Sequence, residues 1–379
     1  MSDNNKTVAA AMGQVRPHVF KDAEFDYAFT RTLGVMCYAG SSSGECYLAA
    51  QRIKNGNVES WTVEWLALAQ YVEKQAQAAL AAGHLQTARD SFLRVYSYYR
   101  TAEFFISPRD PRKRDLYEQS VAAFAEAARL FPHPMERVNI PYEGTSLPGY
   151  FMRPADDDQA RPTLVLLGGG DCSGEELYLA SGAVPALERG YNVLIFDGPG
   201  QRGTSHRDHP LFFRHDWEAV MTPVLGWVLD QPGVDPERVA LYAISFGGYL
   251  GPRALAHDHR WAALIVNSPM TSFYNFVLGG VRGVLGSSFP IGLLGPIVNM
   301  LMGVSPVVRF AVEQFRWMFG VETIEEIAEV AERYQLHGIE SQITCPVLAM
   351  GGEGEGSEFL RQSEEFLGNL NVPHEYRLF

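Results

Sequence analysis

The segment Leu241-Tyr242-Ala243-Ile244-Ser245-Phe246-Gly247-Gly248 constrains the fold of this chain more than any other. Its apolar first half reads as the end of a buried strand, and Phe246 onward reads as the start of a helix. A chain that turns from strand to helix at a single residue is strained there. The positions two before and two after Ser245 must therefore be small, and Ala243 and Gly247 meet that demand. Such a turn projects the serine hydroxyl at the carboxyl end of a sheet, where open α/β sheets place their ligands. The helix start behind it favours developing negative charge. An ordinary helix cap would need only the serine. The strand, and the Asp235-Pro236-Glu237-Arg238 loop before it, favour the sharp turn instead.

The rest of the chain supplies a sheet to hold that turn. From Met135 onward, strands are predicted over 137–141 and 147–153, joined at Glu143-Gly144, then over 163–167, 192–196, 239–243, 262–267, 345–350 and 374–379. Helices are predicted over 174–189 and 216–231 and from Phe246. This alternation predicts an α/β protein with a mostly parallel sheet and helices on both faces. Residues 1–134 read as helical, with helices over 60–80, 85–105 and 112–130. The pair around Gly83 resembles one helix hairpin of a repeat array, but no second copy follows. The expected organisation is a helical domain over 1–134, a core over 135–269 and 341–379, and an insertion over 270–340. Residues 283–308 carry no charge, but Pro290, Pro296 and Pro306 interrupt them, and a membrane span there would split the sheet. The insertion is therefore predicted to be a cap of short helices over an apolar pocket.

Two more loops fall at the carboxyl ends of predicted strands. Gly168-Gly169-Gly170-Asp171 follows the first parallel strand, where glycines let backbone amides approach a substrate oxygen. The amide of Gly170 or Asp171, together with that of Phe246, is the expected pair of oxyanion donors. Asp197-Gly198-Pro199-Gly200-Gln201 reads as a rigid structural turn. After the strand at 345–350, Glu355 lies where an acid partner is expected, with Glu353 as the fallback. A base should follow the next strand, but His374 sits at the wrong end of it, and the other nine histidines precede the acid. The histidine is therefore expected beyond Phe379. His206, His209 and His215 form a loose cluster whose spacing fits no metal motif, and no metal or cofactor is implied.

Charge narrows the partners. Thirty-one Lys and Arg against 44 Asp and Glu give a formal charge of −13, which argues against nucleic acid and against an anionic membrane surface. Cys37, Cys46, Cys172 and Cys345 form no C-x-x-C pair and read as reduced thiols of a cytoplasmic protein. The first residues, MSDNNKTVAAAMGQ, lack the basic and apolar regions of a secretory signal.

Together, the helical amino-terminal part, GGGDCSGEELY, FDGPGQ, AISFGGY and the Gly352–Gly356 GEGEG segment resemble a family of capped α/β-hydrolases. That family includes 2,6-dihydroxypseudooxynicotine hydrolase and the fungal yellowish-green pigment hydrolases, and it is more distantly similar to the fermentation–respiration switch esterases. The resemblance runs through Tyr98-Tyr99-Arg100-Thr101-Ala102-Glu103 of the helical part. It implies an α/β-hydrolase fold with Ser245 as nucleophile and Glu355 as acid. It also implies cleavage of a carbon–carbon bond beside a ketone, or of an ester, in a small aromatic or polyketide-like molecule. The family histidine has no counterpart here, and Ala243 replaces a glycine. Acyl transfer or cyclisation in the same pocket, and ligand binding without catalysis, are the alternative readings. Tyr98, Tyr99 and Arg100 are expected at the pocket mouth, with Phe273, Tyr274, Phe315 and Trp317 along its wall. The extra helices admit a homodimer.

Overall fold

The computed structural model describes residues 18–157, 159–277, 294–304 and 306–379. The first helices among the described residues are α1 (Ala23–Gly34), α2 (Ser43–Ala50), α3 (Val58–Ala81), α4 (Leu85–Ala102) and α5 (Pro111–Ala128). Their starts follow from side chains that satisfy free amides. Asp22 accepts from the amides of Glu24 and Phe25, Asn57 accepts from Ser60, and Asp110 accepts from Arg112 ahead of Pro111. Helices α3 and α4 form the expected hairpin, with Gly83 turning at φ +77°. Phe25, Trp61, Trp65 and Phe105 interlock in its centre.

Eight strands follow, in the spatial order β1-β2-β4-β3-β5-β6-β7-β8. They are β1 (Met135–Tyr142), β2 (Thr145–Met152), β3 (Arg161–Leu167), β4 (Asn192–Phe196), β5 (Val234–Ile244), β6 (Ala263–Asn267), β7 (Val347–Gly351) and β8 (His374–Leu378). The β1–β2 and β2–β4 pairs are antiparallel and every other pair is parallel, so the sheet is the mostly parallel one expected. Strand β5 starts earlier than its apolar run, and its pairing with β3 shifts register between Arg161 and Thr163.

The helix expected over 174–189 is two helices, α6 (Gly174–Ala180) and α7 (Ala183–Glu188), separated where Gly182 takes φ +83°. Helices α8 (Glu218–Leu229) and α9 (Gly247–Leu255) cover one face of the sheet. The five amino-terminal helices share a continuous apolar core with α6, α7 and the other face, through Tyr150, Met152, Leu166, Val193 and Ile195. The insertion contains α10 (Leu294–Val304), α11 (Pro306–Phe319) and α12 (Ile324–Glu332), the last begun by a Thr323–Glu326 capping box. Residues 278–293 of the expected cap lie outside the described residues. Phe310 on α11 packs on Phe104 and Phe105, joining the insertion to the helical layer. Helix α13 (Ser357–Gly368) precedes β8. Among the described residues, no helix is long and apolar enough to cross a membrane.

Candidate active site

Ser245 follows the last residue of β5 with φ +60°, a left-handed conformation that non-glycine residues rarely adopt. Its amide donates to the Asn267 carbonyl at 2.6 Å, and α9 starts two residues on. The small neighbours have specific steric causes. A Cβ on Gly247 would lie 3.0 Å from the Leu167 carbonyl, and one on Gly248 would overlap the Ser268 carbonyl at 1.9 Å. Ala243 is accommodated because Gly251 faces its Cβ. Phe246 is buried, while Ser245 is exposed.

The glycine loop lies directly against this serine. A Cβ on Gly169 would sit 2.7 Å from Ser245 Cβ and 2.8 Å from Oγ. Gly169 is therefore in close contact with the hydroxyl, one residue before the expected amide donors Gly170 and Asp171. Gly170 faces Met318 of α11, whose sulfur would be 3.6 Å from an added Cβ. Behind the loop, the buried Gln201 donates through Nε2 to the Gly168 and Gly169 carbonyls, at 2.8 and 3.2 Å. Its Oε1 accepts from the Gly198 amide at 2.7 Å. In a trans peptide the next N–H points opposite the carbonyl. Gln201 therefore leaves the Gly169 and Gly170 amides directed away from itself. The turn that carries Gln201, expected from the sequence as rigid structure, also anchors the glycine loop.

Past the glycines, Asp171 meets the helical layer. Arg31 of α1 donates to its carboxylate at 2.6 Å and to Glu176 at 2.5 Å. Arg100 of α4 donates to the Asp171 carbonyl at 2.8 Å and to its carboxylate at 3.3 Å. Desolvation raises the Asp171 carboxyl, but the two guanidiniums override it and hold it well below the usual carboxylate range. Deeper in, the fully buried Glu103 pairs with Arg202, with Lys113 at 3.0 Å and with Arg100 at 3.1 Å. Burial pushes Lys113 down to about 8 against the pull of Glu103.

The two acid candidates separate. Glu355 accepts from the Ser268 hydroxyl, beside the Asn267 carbonyl that holds the Ser245 amide. Glu353 instead receives Phe379: its amide donates to the Phe379 carbonyl at 2.8 Å. All ten histidines lie in the described residues, and none lines the cleft at Ser245. His374 pairs with Val347 at the amino end of β7. His206 stacks on Tyr117 with ring centres 4.3 Å apart; burial, then Arg202, pushes its pKa down to about 2. Among the described residues, no group of three His, Cys, Asp or Glu side chains is placed to hold a metal.

The cleft that reaches Ser245 has a volume of about 400 Å³ and is walled by Tyr27, Thr30 and Arg31 of α1, the Asp171 loop and α6. The expected lining needs correction. Tyr98 donates to Glu45 and Tyr99 to Glu73, both within the helical layer, and only Arg100 of that trio faces the loop. Phe273 is buried among Phe246, Phe315 and Phe319, with Tyr274 packed against the same core. Trp317 packs on His206. None of these rings lines the cleft at Ser245.

Comparison with known proteins agrees with this geometry. The family described as esterase FrsA-like matches residues 34–265. The chain is 34% identical over 359 residues to hydrolase LUC6 of Fusarium sp, covering 90% of this chain and 83% of that one. It is 34% identical to the 20-hydroxy-prefusarin hydrolase FUS2 of Gibberella moniliformis, over 88% of this chain and 83% of that one. The crystal structure of 2,6-dihydroxy-pseudo-oxynicotine hydrolase superposes with a TM-score of 0.72 at 21% identity, over 91% of this chain and 87% of that chain, which shows the α/β-hydrolase fold.

Proposed function

Since this chain belongs to the FrsA-like esterase family and has the α/β-hydrolase fold, we propose that it is a hydrolase with Ser245 as its nucleophile. The observation that carries this reading is the pairing of a left-handed Ser245 at the strand–helix turn with a glycine loop pressed on its Oγ. Ser245 attacks a substrate carbonyl, and negative charge builds on the carbonyl oxygen. The amides of Phe246 and of Gly170 or Asp171 hold that oxygen, and Gln201 turns the loop carbonyls out of the way. Glu355, oriented by Ser268, stabilises the imidazolium of the base. Strand β8 brings the backbone at Phe379 to Gly351 and Glu353, beside the loop that carries Glu355. The substrate is a small aromatic or polyketide-like molecule. The relative named as a 20-hydroxy-prefusarin hydrolase supports that class. The bond cleaved is a carbon–carbon bond beside a ketone or, failing the electron sink of a second ketone, an ester.

Intact mass before and after a fluorophosphonate tests the serine. One adduct, lost in Ser245→Ala, is expected. No adduct on the parent protein, or one retained by Ser245→Ala, overturns the assignment. With a substrate in hand, label from heavy-oxygen water in the acid product identifies hydrolysis, and its absence would identify transfer or cyclisation.

A further inference from the structure

We propose that the helical layer sets the geometry of the oxyanion loop, with Arg31 and Arg100 acting as positioning residues that hold Asp171 while Gln201 holds Gly168 and Gly169. The inference rests on the serine reading above, and its test is arranged to separate the two.

The stretch Gly168–Cys172 has little of its own to fix it. Three consecutive glycines leave backbone freedom that a donor loop must lose before it is useful. The side chains that remove this freedom come from elsewhere in the chain. Gln201 takes two successive carbonyls on the core side. On the far side, Arg100 bonds both the carbonyl and the carboxylate of Asp171. An arginine present only to neutralise Glu103 and Glu176 would have no need of a backbone carbonyl. Arg31 spans Asp171 and Glu176, so loop and following helix are both tied to α1. The tolerance is narrow. Gly169 already approaches Ser245 so closely that an added Cβ would be 2.8 Å from Oγ, and useful donors must lie within about 2.7–3.1 Å of the oxyanion. Displacement of the helical layer by a few tenths of an ångström therefore reaches the reacting centre through two arginines.

Cysteines give a readout independent of activity. Cys172 adjoins Asp171 and is half-buried, Cys37 is exposed, and Cys46 and Cys345 are buried. Burial and then Glu176 push the Cys172 thiol well above its ordinary range, so the clamped loop alkylates slowly. Arg31 pulls that thiol downward. Removing its charge alone would therefore slow alkylation, whereas releasing the loop would speed it. Iodoacetamide labelling, resolved by peptide mass, is to be run on the full chain, Arg31→Gln, Arg31→Lys and Arg100→Gln. The expected result is Cys172 labelling at least about tenfold faster in Arg31→Gln and Arg100→Gln, as local opening requires, with Cys46 and Cys345 still protected and Arg31→Lys closer to the parent. In the same variants, the maximal rate of fluorophosphonate labelling falls about tenfold or more while the half-saturating concentration holds. Unchanged or slower Cys172 labelling in Arg31→Gln overturns the clamp. If Arg100→Gln unfolds, exposing Cys46 and Cys345, Arg31→Gln decides alone. A parent protein that takes no fluorophosphonate adduct overturns the serine reading and leaves the Cys172 comparison to judge the clamp.

Discussion

Gly169→Ala isolates the closest contact of the site. The added Cβ would meet Ser245 Oγ at 2.8 Å, Ser245 Cβ at 2.7 Å and the Phe246 amide nitrogen at 3.3 Å. An ordinary carbon–oxygen contact is about 3.4 Å, so loop and serine must separate by about 0.6 Å. Neither can give easily, since Ser245 is fixed by the Asn267 carbonyl and the loop by Gln201. Overpacking of this kind costs about 1–3 kcal/mol. With about 2.1 cal/mol/K of unfolding entropy per residue, 379 residues give about 0.8 kcal/mol/K, so Tm falls by only about 1–4 °C. The same 0.6 Å takes an amide out of donor range, and losing one such donor costs about 10²- to 10³-fold in rate. Gly170→Ala is the matched control. It adds the same methyl one residue on, where Met318 Sδ would be 3.6 Å away, an ordinary contact. The expected result is fluorophosphonate labelling about 10²-fold slower in Gly169→Ala and within about threefold of the parent in Gly170→Ala, with both proteins folded by calorimetry. Parent-like labelling by Gly169→Ala, or equal losses in the two variants, would refute the argument.

If Glu355, which accepts from Ser268, is the acid of the proposed mechanism, Glu355→Gln should slow labelling by at least about 10²-fold and Glu353→Gln by less than about twofold; reversed effects would move the acid to Glu353. Gln201→Leu leaves the Gly168 and Gly169 carbonyls and the Gly198 amide unpaired, at about 1–3 kcal/mol for each group left buried. Urea unfolding should register that loss along with slower labelling, and a change under about 1 kcal/mol counts against it. His206 holds its pKa near 2 in the folded chain, whereas the unfolded chain takes up a proton below about pH 6.5. Stability is therefore lost as pH falls through that value, at about 1.4 kcal/mol per unit. Between pH 6.5 and pH 5, the parent should lose about 1.6 kcal/mol more than His206→Gln in urea unfolding, and parallel losses would show that His206 does not govern the slope.

The elements legible in the sequence were those whose signal is local. Strands β3 and β4 are short apolar runs with turn residues after them, and the sharp turn at Ser245 announces itself by Ala243 and Gly247. The contact that distinguishes Glu355 from Glu353 is not legible in the sequence, because Ser268 donates to Glu355 from 87 residues away. Gln201 stood in plain view in its turn, yet its partner Gly168 is 33 residues earlier. Helix α4 shows a different failure. It is buried nearly all round from Phe92 to Ala102, so no polar face reveals which way it points. One residue is about 100° of rotation, which is the difference between Tyr99, bonded within the helical layer, and Arg100, turned to the loop. The buried face of helix α13 is not legible as an apolar stripe, because it carries Gln362 and Ser363 beside Phe366. Gln362 is held there by the Thr271 and Ser272 amides, a contact that no periodicity encodes.

The same distinction bears on why so many charges lie between the helical layer and the core. Arg31, Arg100, Arg202 and Lys113 meet Glu103, Asp171 and Glu176 in one connected group, most of it buried. Stability alone does not require this, since apolar residues of similar volume often do as well or better in place of buried ion pairs. Apolar packing, however, tolerates small shifts, whereas a guanidinium bonded to a carbonyl and a carboxylate at once fixes both distance and direction. The contact at Asp171 has that form, and it lies two residues from the glycine that touches Ser245. Charge concentrated at this junction is therefore better explained by the precision the loop needs than by the cohesion of the domains. On that account, replacements along the Arg31–Asp171–Arg100 line should cost more in rate than in stability.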